Sequence, residues 1–201
     1  MMTITYPVKN GIYVNMTNRC PCACTFCLRH NADGIFNSGP LWLDREPTVQ
    51  EVCDSIDTWD FTNYEELVFC GYGEPTERLD DLLAVAKYVK ENYPVKIRIN
   101  TNGLADLIWK EKTAHKLEGL IDTVSISLNA TDKETYNALV RPKFGIESYD
   151  AMLAYTKDCV NYVPNVVMTV VDVVTTPQQQ EECRKICESV GAKLRVRPYE
   201  S

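Results

Sequence analysis

The chain has 201 residues and a mass of 22.9 kDa, a size that one substantial hydrophobic core can serve. Apolar residues make up 45% and charged residues 24%, which excludes disordered, collagenous and fibrous chains. Lys and Arg number 21 against 28 Asp and Glu, and the net charge of −7 disfavours sequence-blind attraction to nucleic-acid polymers or anionic membranes.

The N-terminal MMTITYPVKNG lacks an apolar stretch of signal-peptide length, and no apolar run reaches the ~18 residues of a membrane span. A first strand is expected over residues 11–17. Directly after it, Asn18-Arg19-Cys20-Pro21-Cys22-Ala23-Cys24-Thr25-Phe26-Cys27 places four cysteines within eight residues. Residues 28–47 are long for a strand-to-helix connection and include Gly34, Gly39 and Pro40, which suits a lid or docking loop. Thr48 with Glu51 three residues on predicts a capping box and a helix start. From 44 to 81 there are 12 carboxylates against Arg45 and Arg78 alone, a surface that repels a polyanion. Strand 66–70 leads into Gly71-Tyr72-Gly73-Glu74-Pro75, and residues 78–92 carry a helical apolar stripe through Leu79, Leu82, Leu83, Val85, Ala86 and Val89. Strand 95–100 runs into Asn100-Thr101-Asn102-Gly103, and strand 123–128 into Ser127-Leu128-Asn129. Thr131 with Glu134 predicts a second capping box. Strands 166–173 and 193–197 bring the count to six.

Strands separated by helix-length segments predict βαβ units and a parallel sheet, read as one domain over 1–201. Three of the strands alternate rather than running apolar throughout. Val95, Ile97 and Ile99 interleave with Lys96, Arg98 and Asn100; Val124, Ile126 and Leu128 with Ser125, Ser127 and Asn129; Leu194 and Val196 with Lys193, Arg195 and Arg197. Strand geometry puts each polar row on one face. A dry interior does not tolerate such rows, because unpaired buried polar groups are costly. The expectation is a curved sheet around a wet or ligand-filled cavity; solvated faces on edge strands give the same pattern.

Nine cysteines is an odd number, so complete disulfide pairing is impossible. A reducing cytoplasm is the expected location, where cysteines act as metal ligands or buried hydrophobes. A thiolate-rich loop binds zinc or an iron–sulfur cluster. The ligand set is Cys20, Cys24 and Cys27, or a set including Cys22. Closed structural zinc sites need a second ligand pair, for which Cys183 and Cys187, one helical turn apart, are a poor match. Three ligands leave an open coordination position of the kind a catalytic centre needs.

The spacing Cys20-x-x-x-Cys24-x-x-Cys27, with Phe26 before the third cysteine, resembles the signature of the radical SAM superfamily. Gly71-Tyr72-Gly73-Glu74-Pro75 is similar to that family's Gly-Gly-Glu-Pro turn with Tyr72 inserted, and Asn100-Thr101-Asn102-Gly103 to its Thr-Asn-Gly segment. The resemblance implies an α/β fold, a partial (β/α)6 barrel without an accessory domain. It also implies that Cys20, Cys24 and Cys27 hold a [4Fe-4S] cluster while Cys22 stands by. Phe26, Gly73, Glu74, Asn102, Ser127 and Asn129 would contact S-adenosylmethionine. The implied activity is reductive cleavage of that cofactor, yielding a 5′-deoxyadenosyl radical that takes hydrogen from an unidentified substrate. An external one-electron donor such as flavodoxin or ferredoxin is implied with it.

Finer features, Tyr13 to Pro21, Cys70 to Thr76, and Ser127 to Ala130 followed by Tyr136 and Arg141-Pro142, resemble the small TatD-linked radical SAM proteins. That resemblance implies a functional link to a TatD-type hydrolase. Lys96, Arg98, Arg195 and Arg197 are candidates to line the cavity, for pairing with the cofactor carboxylate or an anionic substrate, or as partners of barrel-bottom carboxylates. His30 lies after the cysteine loop near the expected cavity mouth, and His115 falls on a polar helix. Two further readings stand beside the small-substrate enzyme: an activase of the glycyl-radical type acting on a partner protein, and a non-catalytic iron–sulfur or zinc electron-transfer module.

Overall fold

Among the described residues seven strands form one sheet in the order β1 to β7, and every pairing after the first is parallel. The computed structural model describes residues 2–30, 33–34 and 38–199. The strands are β1 (Thr5–Val8), β2 (Gly11–Val14), β3 (Glu66–Phe69), β4 (Lys96–Thr101), β5 (Thr123–Ser127), β6 (Asn165–Val171) and β7 (Lys193–Arg197). β1 and β7 are not paired with each other, so the barrel stays open. All six expected strands are present. The seventh, β1, was not expected; it turns through Lys9 (φ 54°) and pairs antiparallel to β2 at the sheet edge. Pro7 masks it in sequence, although an edge strand tolerates proline because one side of its backbone needs no partner.

The helices α1 (Val49–Ile56), α2 (Leu79–Asn92), α3 (Ala105–Trp109), α4 (Lys133–Val140), α5 (Ser148–Cys159) and α6 (Pro177–Ser189) pack along the sheet. The Thr48 capping box forms as read, with Thr48 and Glu51 satisfying each other's amides. At α4 the cap is Asp132 instead of Thr131. Its carboxylate accepts from the Thr135 amide at 2.8 Å, and Thr131 only donates its hydroxyl to Asp132. Arg78 likewise belongs to the short 3-10 turn Pro75–Arg78 that precedes α2, and not to the helix.

Period-two geometry sorts the strands as the alternation requires. Ile97, Ile99, Val124, Ile126 and Leu128 are fully buried in the main core cluster, which also takes in Leu79, Leu82, Val85 and Val89 of α2. Each such side chain contributes about 1.5–3 kcal/mol by leaving water. Cys53, Cys159, Cys183 and Cys187 are buried thiols of this core. The opposite rows, Arg98 and Asn100 on β4 and Arg195 and Arg197 on β7, line one cavity with Ser125, Arg98 and Ser125 buried and Arg195 exposed. Lys96 does not line the cavity: it is largely exposed and pairs with the Asp122 carboxylate at 3.6 Å, in keeping with the other reading, an ion-pair partner. Among the described residues no helix is long and apolar enough to cross a membrane.

Candidate active site

The cysteine loop leaves the C-terminal end of β2 and is fixed at both flanks. On one side the Asn18 side chain donates to the Leu43 carbonyl at 2.8 Å and accepts from its amide at 3.0 Å. On the other, Ala23 and Thr25 donate backbone bonds to Val140 and Leu139 at the end of α4, and Lys143 donates to the Pro21 carbonyl. Four cysteines spaced this closely cannot all face inward. Cys22 is buried, while Cys20, Cys24 and Cys27 keep partial exposure. Phe26, between the last two, is half-buried.

The thiols differ in charge preference. The Cys22 thiol donates to Cys20, which lowers the pKa of Cys20 and keeps Cys22 protonated. Burial, then the neighbouring Cys27 and Cys20, pushes Cys24 up to about 12. Burial also raises Cys27. Such thiols ionise readily once a metal centre supplies positive charge, since coordination deprotonates a thiol outright. Among the described residues, no three His, Cys, Asp or Glu side chains converge closely enough to hold a single ion. An iron–sulfur cube takes its thiolates at separate corners, so this open donor set fits a cluster better than a closed zinc site. The loop also borders buried polar atoms without partners. The Tyr136 hydroxyl lies in the electrostatic field of Cys22, Cys24, Glu74 and Cys20 and has no hydrogen bond, and neither does Asn129 Oδ1.

The turn after β3 is pressed against this loop. A Cβ on Gly73 would lie 2.1 Å from the Thr17 carbonyl oxygen, so only glycine lets the two backbones approach. The Glu74 amide then donates to the Arg19 carbonyl at 2.7 Å. The Glu74 carboxylate is buried. Its Oε1 accepts from the Thr76 amide, the Thr76 hydroxyl and the Thr101 hydroxyl at 3.1, 2.7 and 2.6 Å, and its Oε2 from the Asn102 amide at 2.8 Å. Burial raises its pKa, against the pull of these donors. Most of its accepting capacity is therefore taken by the protein itself, with Oε2 keeping room for one further donor.

Asn102 completes the junction. Its Oδ1 accepts from the Leu104 amide at 2.9 Å, and its Nδ2 stands 3.6 Å from Cys22 Sγ. Cysteine loop, Gly73-Glu74 turn and Asn102 thus form one bonded unit across the ends of β2, β3 and β4. Ser127 and Asn129 sit at the end of β5, outside that unit; Asn129 is buried in the left-handed region at φ 59°. Thr76 and Thr101 were read only as parts of motifs, without a role at Glu74. The signal for that role was position alone, each hydroxyl lying where it can donate to a buried carboxylate.

His30 is exposed directly behind the cysteine loop, its amide donating to the Cys27 carbonyl at 3.1 Å, and His115 packs edge-on to Tyr162 at 6.3 Å between centroids. Of the segment 28–47, residues 31–32 and 35–37 lie outside the described residues. Its later part is anchored, with Leu41 fully buried and Trp42 edge-on to Tyr72 at 5.3 Å.

The Radical SAM superfamily model matches residues 14–190. The chain belongs to that superfamily. This radical SAM chain is 33% identical over 129 residues to a Methanocaldococcus jannaschii protein provisionally named a glycyl-radical enzyme activating enzyme, covering 64% of this chain and 47% of that one. It is 32% identical over 141 residues to the GTP 3′,8-cyclase of Corynebacterium glutamicum, covering 67% of this chain and 34% of the cyclase. The chain therefore spans less than half the length of these curated relatives, which are enzymes. A radical SAM methyltransferase from Sphaerobacter thermophilus superposes with a TM-score of 0.67 at 18% identity, over 96% of this chain and 56% of that one. The [FeFe]-hydrogenase maturase of Carboxydothermus hydrogenoformans gives 0.66 at 12% identity, over 95% and 44%. At such identities these two likenesses speak for the fold: an open, mostly parallel partial barrel.

Proposed function

We propose that this radical SAM chain is an enzyme in which Cys20, Cys24 and Cys27 hold a [4Fe-4S] cluster. Phe26, Gly73, Glu74, Asn102, Ser127 and Asn129 form the S-adenosylmethionine site. The observation that carries the proposal is the bonded unit described above, in which the Glu74 carboxylate ties the turn behind β3 to Asn102 while its amide grips the cysteine loop. When bound and reduced, the cluster supplies one electron to the cofactor's sulfonium, releasing methionine and a 5′-deoxyadenosyl radical that takes a hydrogen atom from substrate. The chain's own residues orient and exclude. On this reading the Gly73 backbone and the remaining Oε2 site of Glu74 receive a ligand ammonium, and Asn129 Oδ1 is the acceptor for a hydroxyl. Cys22, protonated and bonded to Cys20 and Asn102, fixes the loop without serving as a ligand.

The substrate is a small molecule on this reading. The activating-enzyme relative favours a second one, in which the open side of the barrel admits a loop of a partner protein. A flavodoxin or ferredoxin is the proposed reductant. A cytoplasmic location and a functional link to a TatD-type hydrolase complete the proposal. Anaerobic reconstitution with iron and sulfide, followed by assay of 5′-deoxyadenosine, tests it. The expected result is cluster assembly and cofactor cleavage, both lost in Cys24→Ala; an intact reduced cluster that cleaves nothing refutes the enzyme and leaves an electron-transfer module. Deuterium carried from a labelled small molecule into 5′-deoxyadenosine, as against a radical left on a partner protein, separates the two substrate readings.

A further inference from the structure

Tyr136 is wholly buried in the main core cluster, its ring edge-on to Tyr149 at 5.5 Å between centroids. Its hydroxyl meets no hydrogen-bonding atom among the described residues. A buried tyrosine ordinarily finds a partner for its O–H, and phenylalanine would fill the same space without stranding a donor. The surroundings of Tyr136 say what kind of partner suits it. It stands one turn before Val140 on α4, the helix whose end accepts the backbone bonds of Ala23 and Thr25. Just beyond that end, Pro142 bridges to Cys22. Cys22 shares the core cluster with Tyr136, and Cys20 and Cys24 pack against it. The ionisable groups whose fields reach the hydroxyl are, in order, Cys22, Cys24, Glu74 and Cys20, so three of the four are sulfurs of the loop. The same loop strands a second donor. Arg29, two residues after Cys27, gives one guanidinium N–H to the Cys22 carbonyl at 3.2 Å, while its buried Nε–H meets nothing among the described residues.

We infer that Tyr136 donates its hydroxyl hydrogen to a sulfur of the cluster held by Cys20, Cys24 and Cys27, and so makes that cluster easier to reduce. The inference rests on the proposed cluster site. A phenol keeps its proton at neutral pH, so the group acts as a donor. A thiol is a weak acceptor, whereas thiolate and sulfide carry charge, and hydrogen bonds to charged acceptors are roughly twice as strong. Reduction adds one negative charge to the cluster. A donor beside its sulfurs stabilises the more negative state more, which raises the reduction potential. Burial strengthens the effect, because no water competes for the donor and the surrounding medium screens little.

Potentiometric titration of the full chain, reconstituted anaerobically and kept free of S-adenosylmethionine, tests the inference. Tyr136→Phe should retain the iron and sulfide of the unaltered chain. Its cluster should be about tenfold harder to reduce, a fall of about 59 mV for one electron. Tyr149→Phe, which alters the ring packed against Tyr136, should leave the potential unchanged. Before reconstitution, Tyr136→Phe should unfold in urea at or above the parent's midpoint, since the hydroxyl it removes has no partner in the protein. A measurement on the unaltered chain does not depend on how the variants fold. With ring-deuterated tyrosine incorporated, pulsed double resonance on the reduced cluster should show a deuterium coupling. An unchanged potential, an equal fall in Tyr149→Phe, a lower urea midpoint or the absence of that coupling overturns the inference. So does a shift seen only after S-adenosylmethionine is added, which would place the hydroxyl on the cofactor instead. A parent chain that assembles no cluster sinks the proposed function and this inference together, whereas a cluster indifferent to Tyr136 sinks the inference alone.

Discussion

Replacing Glu74 by glutamine tests the bonded unit at its centre. The carboxylate accepts four hydrogen bonds, three on Oε1 and one on Oε2. A glutamine offers one oxygen and one NH2. If the oxygen keeps the three donors of Oε1, the NH2 faces the Asn102 amide, donor against donor. Loss of the charge itself does not add to the damage, because burial outweighs the donors and the folded protein disfavours the ionised form. The cost therefore reduces to one unsatisfied buried amide, about 1–3 kcal/mol. A central 2 kcal/mol lowers the melting temperature of a chain this size by about 4–8 °C. Urea denaturation of the cluster-free chain at pH 7 measures it. The pH dependence supplies a second check with a definite sign. Glu74 is raised above its ordinary 4.5 in the fold, so its contribution is full below that value and is lost as pH rises through the folded one. Glu74→Gln should abolish that decline. A variant within about 0.5 kcal/mol of the parent, or one that retains the decline, refutes the account of Glu74 as the tie between turn and strand.

Three other substitutions separate roles that lie close together. Cys22→Ala should retain most of the reconstituted iron and sulfide while Cys20→Ala loses it, measured by metal and sulfide content; equal loss would make Cys22 a ligand. Gly73→Ala pushes a methyl to 2.1 Å from the Thr17 carbonyl oxygen, so the turn must shift away from the cysteine loop, and iron content and cofactor binding should fall together. Glu66→Gln leaves the nearly buried Arg98 without its anion; partial exposure of Glu66 reduces the usual 3–5 kcal/mol for a broken buried pair to about 2 kcal/mol. Adding Arg98→Met to that variant should restore part of the loss in urea denaturation, since no uncompensated charge remains.

How far the sequence could be read depended on whether a feature is local. The strands of the parallel sheet were legible because βαβ spacing and period-two alternation are written within a few residues, and Ile97, Ile99, Val124 and Ile126 fell on the face they predicted. Chemistry at the strand ends was legible for the same reason, as short motifs after predicted strands. What could not be read are the relations between segments distant in sequence. Thr101 reaches Glu74 across 27 positions, and Arg98 finds Glu66 across 32. Nothing near Thr101 marks it as the donor to a buried carboxylate. Pro7 concealed β1 because the rule against proline in strands holds only for interior ones. The two boundary errors at Thr131 and Arg78 are contests between adjacent residues that cap geometry decides and composition does not.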